Sequence, residues 1–283
     1  MTANRLWRLL LLPGGLWLVL LFVAPFGVVV AVSLGTTDFL GRVVFGWHPQ
    51  NYLNIIDPIY LPVLVRSAFY AVATTGLCLV IGYPVAYMIA RFGGRFRTLL
   101  VVLIILPWFA DYLVRIYAWF VILGDEGVVN GMLSAFGFAG NPPVIFLNTP
   151  FAVIGGLVYD YLPFMILPIY AALDRMNPAL IEAGKDLYGT PLRTFLHVTW
   201  PATVQGVVAG AVLVGLPSVG DFATAQILGG ANTFMIGNVI QDQFAGAGDP
   251  PTGAVLTLAL MALLSVLMIF YLRSASRPAD MMS

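Results

Sequence analysis

The stretch that decides the fold is residues 177–201, which read NPALIEAGKDLYGTPLRTFLHVTWP and lie between two long apolar segments. Asn177 and Thr190 each place a capping side chain directly before a proline, and proline suits the first position of a helix. Gly189 marks the end of the first of these helices. The pattern therefore predicts two short helices at an angle, although a simple connection between two spans needs only a few residues. We expect something to dock against this rigid loop.

The composition is that of a membrane protein. Of the 283 residues, 60% are apolar and only 9% are charged, whereas a soluble domain carries about 25% charged residues. A membrane-spanning helix needs about 20 mostly apolar residues. Six segments meet this requirement: 9–33, 61–90, 98–123, 151–173, 202–228 and 253–272.

The predicted fold is thus all-α and integral to the membrane, with six transmembrane helices. The second segment is longer than a bilayer requires, which indicates a tilt or an extension beyond the lipid. The first could be a signal peptide, but its apolar run exceeds the 7–15 residues of such a segment, which favours an uncleaved span. We expect a first helix and outer loop over 1–60, a core of five helices over 61–272 that contains the loop 174–201, and a tail over 273–283.

The distribution of positive charge predicts the orientation. Ten of the thirteen Lys and Arg residues lie at the two ends of the chain and in alternate connections, including 174–201. Both termini and this loop are therefore expected in the cytoplasm. The outer connections 34–60, 124–150 and 229–252 hold six acidic residues: Asp38, Asp57, Asp125, Glu126, Asp242 and Asp249. An acidic outer face suits a cationic solute, although the positive-inside bias alone also produces one.

The 177–201 stretch resembles the loop that identifies permease subunits of ABC-type importers. That family's pattern is Glu-Ala-Ala, three residues, Gly, nine residues, Ile, one residue, Leu-Pro. Glu182, Ala183 and Pro201 match in register, and Val198 stands for the Ile. Three positions depart from the pattern, and Gly189 lies one residue after the expected glycine; the departures are Gly184, Tyr188 and Trp200. An ordinary amphipathic cytoplasmic loop is the alternative.

The resemblance implies type I ABC importer permease architecture, in which this loop sits in a groove of an ATPase subunit. The coupling residues that it implies are Glu182, Ala183, Gly184, Asp186, Tyr188, Gly189 and Pro201. The chain has no Gly-x-x-x-x-Gly-Lys-Ser/Thr pattern, so ATP hydrolysis by that route must come from a separate ATP-binding subunit. We accordingly expect a transport subunit and not an enzyme, without a cofactor.

Further stretches resemble permeases of the spermidine/putrescine importer family. They are PW at 107–108, LVRIYAW at 113–119, LGDEGVVN at 123–130, VYDYLPFM at 158–165 and the segment 229–244. This resemblance implies a second permease, a pair of ATPase subunits, a polyamine-binding protein and an inner-membrane location. An importer of an opine or another amine is the alternative. A passive channel or a secondary transporter without an ATPase fits less well, because the coupling-loop pattern is in register and the two halves show no repeat.

Four ionisable residues are predicted at membrane depth, where a charge needs a partner, a water-filled cavity or a ligand: Asp111, Arg115, Asp160 and Asp221. Asp111 and Arg115 are four residues apart on one helix face, which favours an internal ion pair. Arg115 would then order the helix or its neighbours. A place in the solute path is the alternative for Asp111.

Asp160 has no basic residue within helical reach and is flanked by Tyr159 and Tyr161. A carboxylate beside aromatic faces provides the charge-assisted hydrogen bonds and cation–π attraction that a polyammonium ion requires. Pro163 and Pro168 predict a bend or break nearby, so Asp160 could instead cap a broken helix or face a partner subunit. Asp221 follows another predicted break at 217–220 and could serve the same path.

Other sites are not indicated. His48 and His197, the only histidines, are expected on opposite sides of the membrane, and Cys78 is the only cysteine. This excludes a histidine-based metal site and an internal disulfide. Gly206 and Gly210 have the spacing that lets helices approach closely, which predicts packing within the chain or against a second permease.

Overall fold

Helices make up nearly all of the regular structure in the computed structural model, which describes residues 3–39, 41–56, 58–138, 142, 144–245 and 248–275. The helices are α1 (Ala3–Ser33), α2 (Tyr60–Phe92), α3 (Arg97–Ile105), α4 (Tyr112–Leu123), α5 (Val128–Ala135), α6 (Pro150–Arg175), α7 (Pro178–Tyr188), α8 (Pro191–Thr194), α9 (Trp200–Val219), α10 (Ala223–Leu228), α11 (Ile236–Ala245) and α12 (Pro250–Ala275). Short 3₁₀ turns occupy Pro49–Ile56, Gly94–Phe96, Leu106–Phe109 and Ala231–Thr233. Asp57, one of the predicted outer acidic residues, falls outside the described residues.

The chain divides into two compact units. The first comprises Met1–Leu61 and Val239–Val266, and the second comprises Pro62–Asn238 and Leu267–Ser283. Within the first unit, α1 is followed by a small antiparallel hairpin of β1 (Thr36–Thr37) and β2 (Val43–Val44). The hydroxyl of Thr37 donates a 2.9 Å hydrogen bond to the carboxylate of Asp249, which attaches the hairpin to the segment before α12.

The core of the second unit is the contact between α6 and α9. A Cβ atom at Gly206 would lie 2.7 Å from the carbonyl oxygen of Pro168, and one at Gly210 would lie 2.7 Å from Sδ of Met165. No side chain fits at such distances, so the two glycines allow the backbones to approach closely. Their predicted role in packing is confirmed, and the partner is α6 of the same chain.

The third predicted span, 98–123, is not one helix. After α3, a 3₁₀ turn containing Pro107 leads to an extended residue at Ala110, and α4 begins anew behind Asp111. The helical segments before and after this break, Gly94–Phe109 and Tyr112–Ala135, meet at 89°. Proline removes a backbone donor and the aspartate supplies a new cap, which together explain why the continuous apolar run is misleading.

Helices lie at all six predicted spans, with altered shapes. In the described part of the chain, four helices are long and apolar enough to cross a membrane, and the bent pair adds a fifth; the four are Pro13–Ser33, Tyr60–Phe92, Pro150–Arg175 and Pro191–Val219. The apolar segment Pro250–Val266 of α12 is shorter. The predicted break after Pro217 is confirmed, because α9 ends at Val219. A break at Pro163 or Pro168 is wrong, because α6 continues through both.

Candidate functional site

The predicted helix starts in the 177–201 stretch are present. The side chain of Asn177 accepts a hydrogen bond from the backbone N–H of Ala179 at 3.0 Å, and that of Thr190 accepts one from Arg193 at 3.4 Å. Gly189 ends α7 with a φ of +66°, a left-handed conformation that favours glycine. The turn between the two helices is therefore built by local interactions.

The second of these helices is not a separate short element. The four residues of α8 continue through a π-helical turn, Phe195–Thr199, into α9. Pro201 lacks the N–H that would form the hydrogen bond of a regular α-helical turn. The wider π-helical turn lies directly before α9, the helix that contains Pro201. The stretch thus contains one short helix, α7, packed on the first turns of the long helix that follows.

Two of the three departures from the family pattern hold α7 in place. A Cβ atom at Gly184 would lie 2.8 Å from Cγ2 of Val198 and 3.0 Å from Cγ2 of Thr194. The hydroxyl of Thr194 donates to the carbonyl oxygen of Gly184 at 3.2 Å. Tyr188 stacks on His197 with ring centroids 4.8 Å apart. Glycine and an aromatic ring at these positions therefore serve contacts within the chain.

The third departure, Trp200, packs against α2. Its ring centroid lies 5.3 Å from that of Tyr83, whose hydroxyl shares a 2.8 Å hydrogen bond with Thr203. Much of α7 is exposed; the exposed residues include Leu180, Glu182, Ala183, Lys185, Asp186 and Leu187. Leu187 is 76% exposed, so a surface with both apolar and charged residues is available for another protein.

The second candidate site is a cavity of about 530 Å³. Three parts of the second unit form it: α6, the break between α3 and α4, and the break between α9 and α10. The lining residues are Trp108, Tyr112, Arg115, Asp160, Tyr161, Phe164, Leu213, Pro217, Gly220, Asp221, Phe222 and Ala223. Two carboxylates and one guanidinium therefore share a pocket with largely aromatic and apolar walls.

Asp221 is fully engaged by neighbouring donors. Its carboxylate accepts hydrogen bonds from the hydroxyl of Tyr112 at 2.7 Å and from the hydroxyl of Tyr161 at 3.1 Å. Thr224 adds its backbone N–H at 3.0 Å and its hydroxyl at 3.2 Å. Asp221 thus joins α4, α6 and α10, which is the structural task of a hydrogen-bonded buried carboxylate.

Asp160 is in the opposite situation. Only 3% of the residue is exposed, and neither carboxylate oxygen has a hydrogen-bond partner among the described residues. The nearest cation is Nη1 of Arg115, 3.5 Å from Oδ1. The expectation that Asp160 has no basic partner is therefore wrong, because α4 brings Arg115 to it from a different helix. Nor does Asp160 cap a broken helix, since α6 is continuous.

The predicted ion pair between Asp111 and Arg115 is also wrong. Asp111 precedes α4 with non-helical backbone angles, and its carboxylate accepts from the N–H of Leu113 at 2.9 Å and of Val114 at 3.4 Å. A capping side chain turns toward the free N–H groups of the first turn, so the four-residue spacing does not bring it to Arg115. Asp111 is exposed and is not among the residues that line the pocket.

The guanidinium of Arg115 lies beside two aromatic rings. Its central carbon is 5.9 Å from the ring centroid of Trp108 and equally far from that of Tyr112. Its Nε is buried without a hydrogen-bond partner in the described residues. The prediction that Arg115 orders neighbouring elements agrees with its place between α4 and α6, but its partner is Asp160.

The two tyrosines beside Asp160 point to different places. Tyr161 lines the pocket and binds Asp221. Tyr159 packs edge-on against Trp119, with centroids 5.4 Å apart, and it does not line this pocket. Adjacent residues of a helix diverge by about 100°, so flanking Asp160 in sequence does not place both rings beside its carboxylate.

The sequence analysis did not point to Tyr112, because it meets Asp221 only through the fold, and it missed Thr224, whose N–H and hydroxyl bind the carboxylate of Asp221 three residues earlier. It also missed the anchoring of the segment that carries Asp221. The side chain of Asn238 donates to the carbonyl oxygen of Phe222 at 2.8 Å, which fixes the residue after Asp221. In the described residues, no group of three or more His, Cys, Asp or Glu side chains could hold a metal ion.

Comparison with known proteins identifies the family. A family model described as "Binding-protein-dependent transport system inner membrane component" matches residues 79–279. The spermidine/putrescine transport system permease PotB of Haemophilus influenzae is 38% identical over 258 residues, which cover 91% of this chain and 90% of the relative. Its namesake in Escherichia coli K12 is 36% identical, with coverage of 92% and 94%.

Solved structures agree on the fold. A chain of a bacterial ABC transporter involved in the import of the acidic polysaccharide alginate superposes with a TM-score of 0.73 and 20% identity, covering 98% of this chain and 97% of that one. A chain of the MetNI methionine ABC transporter gives a TM-score of 0.54 over 78% of this chain. The predicted all-α architecture of an ABC importer permease is confirmed. With the family match over residues 79–279, the chain belongs to the binding-protein-dependent transport system inner membrane components.

Proposed function

We propose that this chain is a permease subunit of an ATP-driven importer and that it forms, with a second permease, a path for polyamines. The observation that carries the proposal is the similarity over nine-tenths of the chain to permeases named for spermidine and putrescine transport. Membership of the family indicates that the chain takes part in transport. The two relatives support polyamines as the class of solute.

The chemistry of the pocket supports a cationic solute. Asp160 presents a buried carboxylate without hydrogen-bond donors in the described structure, and a charge-assisted hydrogen bond from an ammonium group would satisfy it. Tyr161, Phe164 and Trp108 provide ring faces in the same cavity, where cation–π attraction strengthens as water is removed. In a flexible polyammonium chain, methylene groups separate the charged groups. Such a chain suits a pocket that offers both a carboxylate and aromatic rings.

The coupling loop supports an ATPase partner. We propose that the exposed side of α7, with Glu182, Ala183 and Asp186, docks against an ATP-binding subunit present in two copies. Gly184, Tyr188, Gly189 and Pro201 shape the loop that presents this side, as their packing and backbone geometry indicate. A periplasmic or surface solute-binding protein would deliver the polyamine.

The proposal includes an orientation in the inner membrane. Both termini and residues 174–201 lie in the cytoplasm, and residues 124–150 lie outside, as the positive charges indicate. Single cysteines at Ser134 and Thr190, in a Cys78→Ala background, test this with an impermeant thiol reagent on intact cells. Labelling at 134 but not at 190 is expected, and the reverse pattern would contradict the orientation. The boundaries at residues 60 and 272 stay a prediction.

Transport itself is tested by restoring the gene to a strain that lacks it. We expect the restored strain to accumulate labelled spermidine or putrescine in an ATP-dependent manner. Excess unlabelled polyamine should suppress uptake, whereas an opine should not. Accumulation of an opine or another amine, with no polyamine uptake, would assign the chain to a different importer of the same family.

A further inference from the structure

The ion pair between Arg115 and Asp160 is loosely made. Its nitrogen–oxygen distance is 3.5 Å, whereas charge-assisted N–H···O bonds measure about 2.7–2.9 Å. Both side chains are more than nine-tenths buried, and Nε of Arg115 and both oxygens of Asp160 lack hydrogen bonds in the described residues. A buried pair without supporting hydrogen bonds recovers little of its desolvation cost. Another cation that forms short hydrogen bonds to Asp160 can therefore compete with Arg115.

Two aromatic rings lie near the guanidinium of Arg115 and could hold it if it left Asp160. The faces of Trp108 and Tyr112 lie 5.9 Å from its central carbon, within the range of cation–π attraction. The Tyr112 ring is held by the hydrogen bonds from its hydroxyl to Asp221. Aromatic surface is therefore close at hand for the guanidinium when it is not paired with Asp160.

The charges in the pocket determine whether Arg115 raises or lowers the affinity for a cationic solute. Asp160, Asp221 and Arg115 are the ionisable acidic and basic residues of its lining. Asp221 already receives four donor contacts, so Asp160 is the carboxylate available to a solute. A resident cation beside it lowers the affinity for any incoming cation. A transport path needs sites that bind well enough for entry and weakly enough for release.

We propose that Arg115 is the resident counter-ion of Asp160 and exchanges with the solute's ammonium group at that carboxylate. An ammonium displaces Arg115 toward Trp108 and Tyr112 when the solute enters, and the return of Arg115 expels the solute. Arg115 therefore limits affinity and speeds release. This inference rests on the proposed function, because it assigns a cationic solute to the pocket.

The test is the Arg115→Gln variant of the complete transporter, purified without the solute-binding protein. We expect it to bind the 1,4-diammoniobutane dication about tenfold more tightly than wild type, which is the low end for a hydrogen bond to a charged group. Its turnover in proteoliposomes should fall, because release is slower. A purely structural role for Arg115 would lower the yield and turnover without tightening binding. Unchanged or weaker binding by the assembled variant overturns the inference.

Two further variants complete the test. Arg115→Gln leaves Asp160 without a counter-ion, which can prevent assembly; in that event the Arg115→Lys variant decides. Lysine carries the same kind of ammonium group as the solute and should hold Asp160 more tightly than arginine does, so binding weaker than wild type by the assembled variant supports exchange, and unchanged or tighter binding overturns it. The Arg115→Gln/Asp160→Asn double variant should lose the tightening, and tightening that persists without the carboxylate overturns the exchange at Asp160. Wild-type proteoliposomes that take up no polyamine would instead overturn the proposed function. The comparison of dissociation constants between the variants and wild type does not test that function.

Discussion

The coupling loop and the charged pocket are built in different ways. In the loop, contacts join neighbours in the chain, such as Asn177 with Ala179 and Thr194 with Gly184. In the pocket, they join distant residues, such as Tyr112 and Asp221, which are 109 positions apart. Local contacts follow from residue type and spacing, whereas distant contacts follow from how helices pack. The loop could accordingly be recognised in the sequence, while the roles of the two pocket aspartates could not.

The largest effect is expected at the exposed side of α7. Glu182 is exposed and forms no ion pair or hydrogen bond in the described part of the chain, so its substitution acts through a partner. Glu182→Lys should reduce uptake to background and prevent co-purification of the ATPase, because reversed charge opposes docking. Glu182→Gln is the matched control and should retain partial function. Wild-type uptake by Glu182→Lys would remove this surface from the coupling site.

A smaller but large effect is expected at Asp160. Asp160→Asn keeps the shape and removes the charge, and the loss of one charge-assisted hydrogen bond should lower uptake about tenfold or more. Because this change also leaves Arg115 without its counter-ion, uptake is compared per assembled transporter, and the solute-free ATPase activity of the assembled variant should stay near wild type. Asp111→Asn is the matched control, because asparagine caps a helix about as well as aspartate. If both variants transport normally over a range of solute concentrations, Asp160 has a structural role only.

The two tyrosines next to Asp160 sharpen the comparison further. Tyr161→Phe removes one of the donors to Asp221, which is worth about 1 kcal/mol, and should reduce uptake several-fold. Tyr159→Phe keeps the ring that packs on Trp119 and should leave uptake unchanged. Uptake kinetics of the two variants at equal expression measure the difference. Equal losses of uptake in the two variants would contradict the assignment of Tyr161, but not Tyr159, to the pocket.

The smallest effect is expected at a local cap. Asn177→Ala removes the hydrogen bond to the N–H of Ala179 and should cost α7 about 1 kcal/mol of local stability. Hydrogen exchange over residues 178–188 should become faster, with the pocket unaffected. Asn177→Ser should restore protection, since serine is also a good cap. Slower exchange, or a change that spreads to the pocket, would contradict the view that the loop is held by local contacts.

The errors of the sequence reading share one physical origin. The spacing of Asp111 and Arg115 is correct for an ion pair on a regular helix, but a helix begins between them, and the carboxylate binds the free N–H groups of its first turn. Asp160 lacked a basic residue on its own helix, and α4 supplied one from elsewhere. Pro163 and Pro168 predicted a bend or a break, and the break is absent because α6 continues through both residues; packing can hold a proline-containing helix continuous.

The sequence by itself determined the apolar spans, the break after Pro217, the turn at Gly189 and the capped start of α7, because each depends on residues close together in the chain. The tertiary structure alone decided which carboxylate is saturated and which is available. Asp160 and Asp221 are the same residue type at similar predicted depth, but Asp221 meets four donor contacts and Asp160 meets one distant guanidinium. Thr224 is a near neighbour of Asp221 in the chain, but Tyr112 and Tyr161 reach the carboxylate from α4 and α6, so its chemistry is fixed only when those helices pack.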